Sequence, residues 1–401
     1  MLDGPALGAL LESASPAEAG IQQERGDFMG KKKQLVAAAL TGWAGVACAQ
    51  SVTLYGTLDQ YLNYMRSDSG ASLKTLNDGA LLRSRWGLRG SEDLGGGLVA
   101  KFQLEQGFSA DTGAAADGTR QFDRQAWVGL GSPAWGEVRL GRQNTAIFFR
   151  GDYVDYTART LGSVVNAFGV PSRYNNDIAY ISPRWAGVQV EGHFALAEVD
   201  GFGDQAVYQA AIDYLAGPVR VGYAGLIGKA PDGAAFSEDV KYHNFYANFD
   251  YGRGKIYGVF VRTNNSTSSG AGAALINNGG SILGGVGGVV AGTNADVNRD
   301  YDIFQISADF LVTPALRVGM LYGKIKDKSG SGRDADGGSI GAYYALSKRT
   351  TLHASIETLT NDDNAGFRPA GSAAVNPNFT QSVDVNGRGI SGVHAGVVHR
   401  F

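Results

Sequence analysis

Thiol chemistry is nearly absent from this sequence, which has one cysteine, Cys48, in 401 residues. A single cysteine forms no internal disulfide and no thiolate cluster for a metal. Long apolar runs are lacking as well. No stretch reaches the ~18 consecutive apolar residues that a membrane-spanning helix needs. Histidine is scarce, limited to His193, His243, His353, His394 and His399, so few groups offer general-base or metal chemistry. Neither sign of charge dominates: 35 bases stand against 38 acids, a formal net charge of −3. That balance excludes strong generic attraction to nucleic acid.

What the chain has is glycine, 59 residues of it, and alternation. Val52, Leu54, Leu58 and Leu62 share one face of a strand, and Thr53, Thr57, Asp59 and Tyr61 share the other. Leu98, Ala100, Phe102 and Leu104 oppose Lys101, Gln103 and Glu105 in the same way, and Leu352, Ala354 and Ile356 oppose His353, Ser355 and Glu357. A hydropathy average misses this pattern because only alternate positions are apolar. Seven short turns punctuate the segments: Glu92–Gly97, Gly131–Glu137, Ser182–Gly187, Leu215–Pro218, Tyr251–Lys255, Val312–Ala315 and Ser347–Thr350. Each joins two candidate strands of about 8–11 residues, enough to cross a bilayer when tilted. Between successive short turns lie longer polar connections.

Seven turns join fourteen strands; a first strand from Ser51 and a last ending at Phe401 make sixteen. The fold class is therefore all-β, a 16-stranded antiparallel transmembrane β-barrel, and that strand number implies a water-filled pore. Trp135, Trp185, Tyr251 and Tyr344 lie beside short turns, where an aromatic girdle meets the membrane interface. Phe401, His399, Val397, Ala395 and Val393 share one face of the last strand.

The N-terminal region divides in two. Lys31, Lys32 and Lys33 precede the apolar stretch Leu35–Ala49, and Ala47 and Ala49 suit cleavage. Residues 29–49 read as a secretory signal, and the stretch is too short for an anchor helix. The barrel then occupies 50–401. Residues 1–28 carry Asp3, Glu12, Glu18, Glu24 and Asp27 against Arg25 alone, which makes a poor signal start. They read as an upstream extension from a misassigned start, with Met29 as initiator. Cys48 falls within the signal.

Several stretches resemble the trimeric general porins of Gram-negative β-proteobacteria, the Burkholderia/Neisseria type. They are SVTLYGTLD at 51–59, SRWGLRGSEDLGGGL at 84–98, RQAWVGLGSPAWGEVRLGRQ at 124–143, YISPRWAGV at 180–188, LSKRTTL at 346–352 and VVHRF at 397–401. The likeness runs in register over 51–401 and departs chiefly at Asn264–Asp300. It implies an outer-membrane homotrimer in contact with the lipid bilayer and lipopolysaccharide, passing ions and small hydrophilic solutes. It implies that the terminal segment, ending at Phe401, is read by the barrel-assembly machinery. It also implies that the third long loop, Asn144–Asn176, folds inward, and that Arg85, Arg124 and Arg173 take the places of the family's wall arginines. Asp152 and Asp155 in that loop are the acids expected across from them. Three fixed cations facing two anions give an expectation of weak anion preference.

Other motifs carry less. Gly387–Gly392 spells a dinucleotide-type GRGISG, but a strand follows where a helix is needed. Asp296, Asn298, Asp300 and Asp302 begin like a calcium loop. Tyr301 stands in the glycine place and Ser307 in the glutamate place, which excludes an EF-hand and leaves a divalent contact with lipopolysaccharide as the weaker alternative. No cofactor or metal is expected. His353 and Ser355 share a face as a Ser–His pair would, yet that face is the lumen, unsuited to a lipid hydrolase. A substrate-preferring channel of the same fold, an outer-membrane hydrolase and a secreted β-sandwich adhesin are the alternative readings. A sandwich does not account for short and long connections alternating, or for a terminal Phe401.

Overall fold

A computed structural model describes residues 51–196, 206–228, 239–264, 300–372 and 379–401. The extension 1–28, the signal 29–49 with Cys48, and most of Asn264–Asp300, including Asp296 and Asn298, lie outside the described residues. The strands run β1 (Ser51–Ser67), β2 (Ser72–Asp78), β3 (Arg85–Gly95), β4 (Leu98–Gly107), β5 (Gln125–Ser132), β6 (Gly136–Asn144), β7 (Arg173–Ile181), β8 (Val188–Ala195) and β9 (Val207–Ala216). They continue with β10 (Val219–Gly228), β11 (Val240–Asp250), β12 (Lys255–Thr263), β13 (Tyr301–Leu311), β14 (Leu316–Asp327), β15 (Ala335–Ala345), β16 (Thr350–Asn361) and β17 (Gly389–Arg400). All seven short turns fall between strands at the places their sequence marks.

From β3 onward each strand pairs antiparallel with the next, and β17 returns to β1 along the register Thr57↔Arg400 to Ser67↔Ile390. The sheet is closed. β1 pairs with β2 over its second half and with β3 over its first half. Those two segments therefore share one position in the wall, and the seventeen segments make a sixteen-stranded barrel. The break between them has a local cause. The Asp59 carboxylate accepts hydrogen bonds from the Leu81 and Leu82 amides, both at 2.7 Å, and draws residues 79–84 inward from the wall.

The usual order of burial is inverted. Leu62 is 67% exposed, whereas Asp59 on the same strand is fully buried. Ile306, Met320, Ile340 and Ile356 likewise face outward, and Ser307, Ser339, Ser355 and Glu357 face in. An apolar exterior over a polar interior suits a wall between lipid and water. Closure leaves no unpaired strand edge in the membrane, where each unsatisfied backbone group costs several kcal/mol. Trp135, Trp185, Tyr251 and Tyr344 are all exposed beside the short turns.

Phe401 completes the seam. Its N–H donates to the Gly56 carbonyl at 3.1 Å, and the Gly56 N–H donates to the Phe401 carbonyl at 3.0 Å. The Phe401 ring lies over Gly56 so closely that a Cβ there would meet it at 2.2 Å. Deleting Phe401 removes both bonds, about 1–3 kcal/mol at the closing edge. The expected result is a lower yield of heat-resistant folded barrel with export across the inner membrane unchanged. Gly56→Leu should act the same way by displacing the ring. Both are read from the heat-modified mobility of outer-membrane fractions.

Candidate pore constriction

The connection between β6 and β7 enters the lumen. It contains two short helices, α1 (Ala146–Phe149) and α2 (Val164–Phe168). Thr145 caps α1 by accepting from the Phe148 N–H, and Ser163 caps α2 by accepting from the Asn166 N–H. Arg159 closes the other end of α1, donating to the carbonyls of Ile147 and Phe148 at 3.0 and 2.8 Å. Ala158 and Arg159 hold left-handed φ values of 59° and 56°, a strained pair that persists because its surroundings fix it.

The far wall receives the loop. The Tyr156 N–H donates to Ser307 Oγ at 3.2 Å, its carbonyl accepts from Arg317 at 2.9 Å, and its hydroxyl pairs with Ser339 at 3.0 Å. Its ring lies on Gly319 and Gly341; a Cβ at Gly319 would meet it at 2.2 Å. Gln305 on β13 accepts from the first amides of α2, Val164 at 2.8 Å and Val165 at 3.1 Å. At the near end, Arg150 reaches Glu191 on β8 at 2.7 Å. The His193 imidazole sits between Glu191 at 2.8 Å and Asp177 at 2.7 Å. These bonds span the barrel and fix the loop across it.

The two loop acids have different surroundings. Asp155 is buried, as Arg173 is, and is held by bonds within the loop and to the wall. One of its oxygens accepts from the Thr157 N–H and hydroxyl and from the Arg159 N–H, and the other from Ser163 and Gln305. It ties the loop to itself and to β13. Asp152 is half-buried on a 3₁₀ turn, Gly151–Tyr153. Burial, helped by neighbouring Asp155, raises its carboxyl above the usual range against the pull of Arg159, Arg400 and Arg85. Among the cations acting on it, Arg159 of the loop comes first, ahead of Arg400 and Arg85 of the wall.

On the wall, Arg124 and Arg85 share one carboxylate. Glu105 accepts from Arg124 at 2.7 Å and from the Tyr55 hydroxyl at 2.9 Å, and pairs with Arg85 at 3.3 Å. Arg173 is 1% exposed and lies over the Phe148 ring at 4.8 Å. Two further arginines join the cluster. Arg83 faces Asp78 at 3.5 Å, and Arg142 donates to the Asp123 carbonyl and to Asn175. Alternation from the outward Leu140 would put Arg142 in lipid. A register shift between Gly141 and Gln143 turns it inward, as β-bulges do, and Gly141 holds φ 130° there. The glycine is the visible signal, and only pairing shows its effect.

The remaining motifs find other places. His353 pairs with Asp59 at 3.0 Å and Ser355 donates to Glu357 at 3.2 Å, so the two do not form a Ser–His pair. Gly389–Gly392 lies in β17. Asp302 holds Arg262 through two bonds of 2.7 and 2.8 Å. Among the described residues no group of three or more His, Cys, Asp or Glu is arranged to hold a metal ion.

Residues 35–364 match the family model described as Gram-negative porin. The chain is similar to an outer membrane porin protein of Bordetella pertussis, 31% identical over 367 residues, covering 81% of this chain and 93% of that relative. It is similar to outer membrane porin protein 32 of Delftia acidovorans, 28% identical over 390 residues, covering 92% and 100%. Among solved structures it resembles an anion-selective porin from Comamonas acidovorans at TM-score 0.69 and 25% identity, covering 88% of this chain and 100% of that one.

The contrast between the loop acids is testable. Asp155→Ala removes five accepted hydrogen bonds and strands buried donors at about 1–3 kcal/mol each. It should raise open-channel noise and protease cutting within 145–172, with little change in ion preference. Asp152→Asn should do the reverse, shifting the reversal potential toward anions while the current stays quiet. Single-channel recording of both variants checks this.

Proposed function

The chain belongs to the Gram-negative porin family and is an outer-membrane porin, and from that premise we propose how its pore treats charge. The channel passes ions and small hydrophilic solutes by diffusion, with a weak preference for anions. One observation carries this reading. Arg83, Arg85, Arg124, Arg142 and Arg173 gather on one wall about Asp78, Glu105 and Asp123, and half-buried Asp152 is the loop acid opposite. Guanidinium groups keep their charge at any working pH.

The chain's net charge is close to zero and does not set selectivity. A fixed charge about 4 Å from a passing ion is worth about 4 kcal/mol at an effective dielectric of 20, against about 1 in bulk water. The local cluster therefore outweighs the mean. Glu105 cancels part of it, which favours a weak preference over a strict filter. The structurally similar Comamonas porin is anion-selective, which supports the same sign.

The reading extends to maturation and assembly. Residues 29–49 are removed after Ala49, and three copies associate. Phe401 marks the strand for the assembly machinery, a role that its place at the seam supports. The family favours a channel over an enzyme, and the separate partners of His353 and Ser355 support that.

Replacing Arg85 and Arg124 together by Gln leaves Glu105 without its two cations and should move the reversal potential in a KCl gradient toward cations. Glu105→Gln should move it toward anions. Both shifts should shrink with salt as the screening length falls below about 10 Å. An unchanged reversal potential in the double variant would remove these arginines from the narrow part of the pore.

A further inference from the structure

We propose that the constriction is a selectivity site for small aromatic carboxylates, taken with the ring against the inward loop and the carboxylate toward the arginine wall. This rests on the charge reading of the pore and names its solute class. The first observation is the surface that the loop shows to the passage. Ala146, Ile147, Val154 and Tyr156 are buried, and the Ala146 N–H donates to Gln209 on β9 at 3.0 Å. That side of the loop is taken up by the wall. The side left to water carries Phe149, 50% exposed, with partly exposed Phe148, Asp152 and Tyr153. The other large apolar side chains exposed among the described residues stand on the strands, in the short turns, at the chain end or, for Val383, in the connection before β17. Phe149 is the one on a segment inside the barrel. A bare phenylalanine ring in a polar lumen is the informative exception to an ordinary burial pattern, and it has an uncovered face to offer a solute.

The second observation is that cations border this aromatic surface. Arg173 of β7 lies on the Phe148 ring at 4.8 Å and Arg159 at 4.9 Å, and Arg220 of β10 lies on the Tyr153 ring at 3.7 Å. A guanidinium stacked on a ring keeps its charge beside an apolar surface. Arg85 and Arg124 stand about Glu105 on the wall. Asp152 is the acid on the water side of the loop, Asp155 being buried. It repels a carboxylate, so the ring of the solute meets the loop and its charge turns to the arginines. An apolar surface with a few charged groups converging on it is the usual make-up of a small-molecule site. A flat apolar body with one anionic end answers both sides at once. A small inorganic anion uses the arginines alone, and a sugar leaves the rings uncovered.

The test records the mature protein in planar bilayers in KCl while benzoate, acetate or the neutral benzyl alcohol is added, and reads the concentration that halves the current. Benzoate should act at a concentration at least about threefold below acetate, the scale of one aromatic contact, and benzyl alcohol should act weakly. Phe149→Ser should raise the benzoate value about three- to tenfold, toward that of acetate. A block caused by size alone would survive that change. Phe149→Trp keeps a ring at the position and should block at the unaltered concentration or below, which separates loss of the ring from loosening of the loop. Equal potency of benzoate and acetate, equal potency of benzyl alcohol, an unchanged Phe149→Ser, or loss of block in Phe149→Trp would overturn the proposal. The reversal potential of the unaltered channel in a KCl gradient tells which reading fails. An anion-preferring potential without benzoate preference overturns this inference alone, and a cation-preferring potential overturns the charge reading on which it rests.

Discussion

Every backbone amide and carbonyl in the membrane must find a partner within the protein, and the rest of this structure depends on that constraint. The ladder of main-chain bonds from β1 round to β17 meets it only by closing, and it closes through the Gly56–Phe401 pair. A closed wall has two faces in two solvents. Alternation along each strand then sends Leu62 to lipid and Asp59 to the lumen. The same arithmetic explains why the chain has ordinary hydropathy and no spanning helix among its described residues, and why glycine is abundant where the loop and the seam press on the wall.

A polar lumen permits an internal loop. The segment between β6 and β7 exchanges water for Ser307, Ser339, Gln305 and Glu191 on the inner wall. Its ring at Tyr156 fits because Gly319 and Gly341 lack side chains. Buried groups bonded in this way cost about 1–3 kcal/mol each to orphan, so the loop is held at several points and a single loss loosens it locally. Stiffness matters because the field across the passage depends on distance.

Much of this was legible in the chain. The seven turns, the strand number, the inverted alternation and the aromatic end of the last strand follow from local pattern, because short hairpins and period-two faces are local properties. The wall arginines Arg85, Arg124 and Arg173 came by resemblance, and they stand together about Glu105 and Phe148. What was hidden depends on residues far apart in sequence. Asp59 captures amides 22 and 23 positions away and splits one wall position into β2 and β3. A bulge at Gly141 reverses Arg142. Asp152 and Asp155 look alike in sequence, yet Gln305, 150 residues on, claims only Asp155. The clamp of Arg150, Glu191 and His193 carries no local signature at all.

The central claim is that a cluster of arginines facing half-buried Asp152 sets the preference of the pore. The zero-current potential of single unaltered channels in a KCl gradient tests it most directly. The account predicts a potential of the anion-preferring sign that declines steadily as salt is raised on both sides. A cation-preferring potential, or one indifferent to ionic strength, would contradict it.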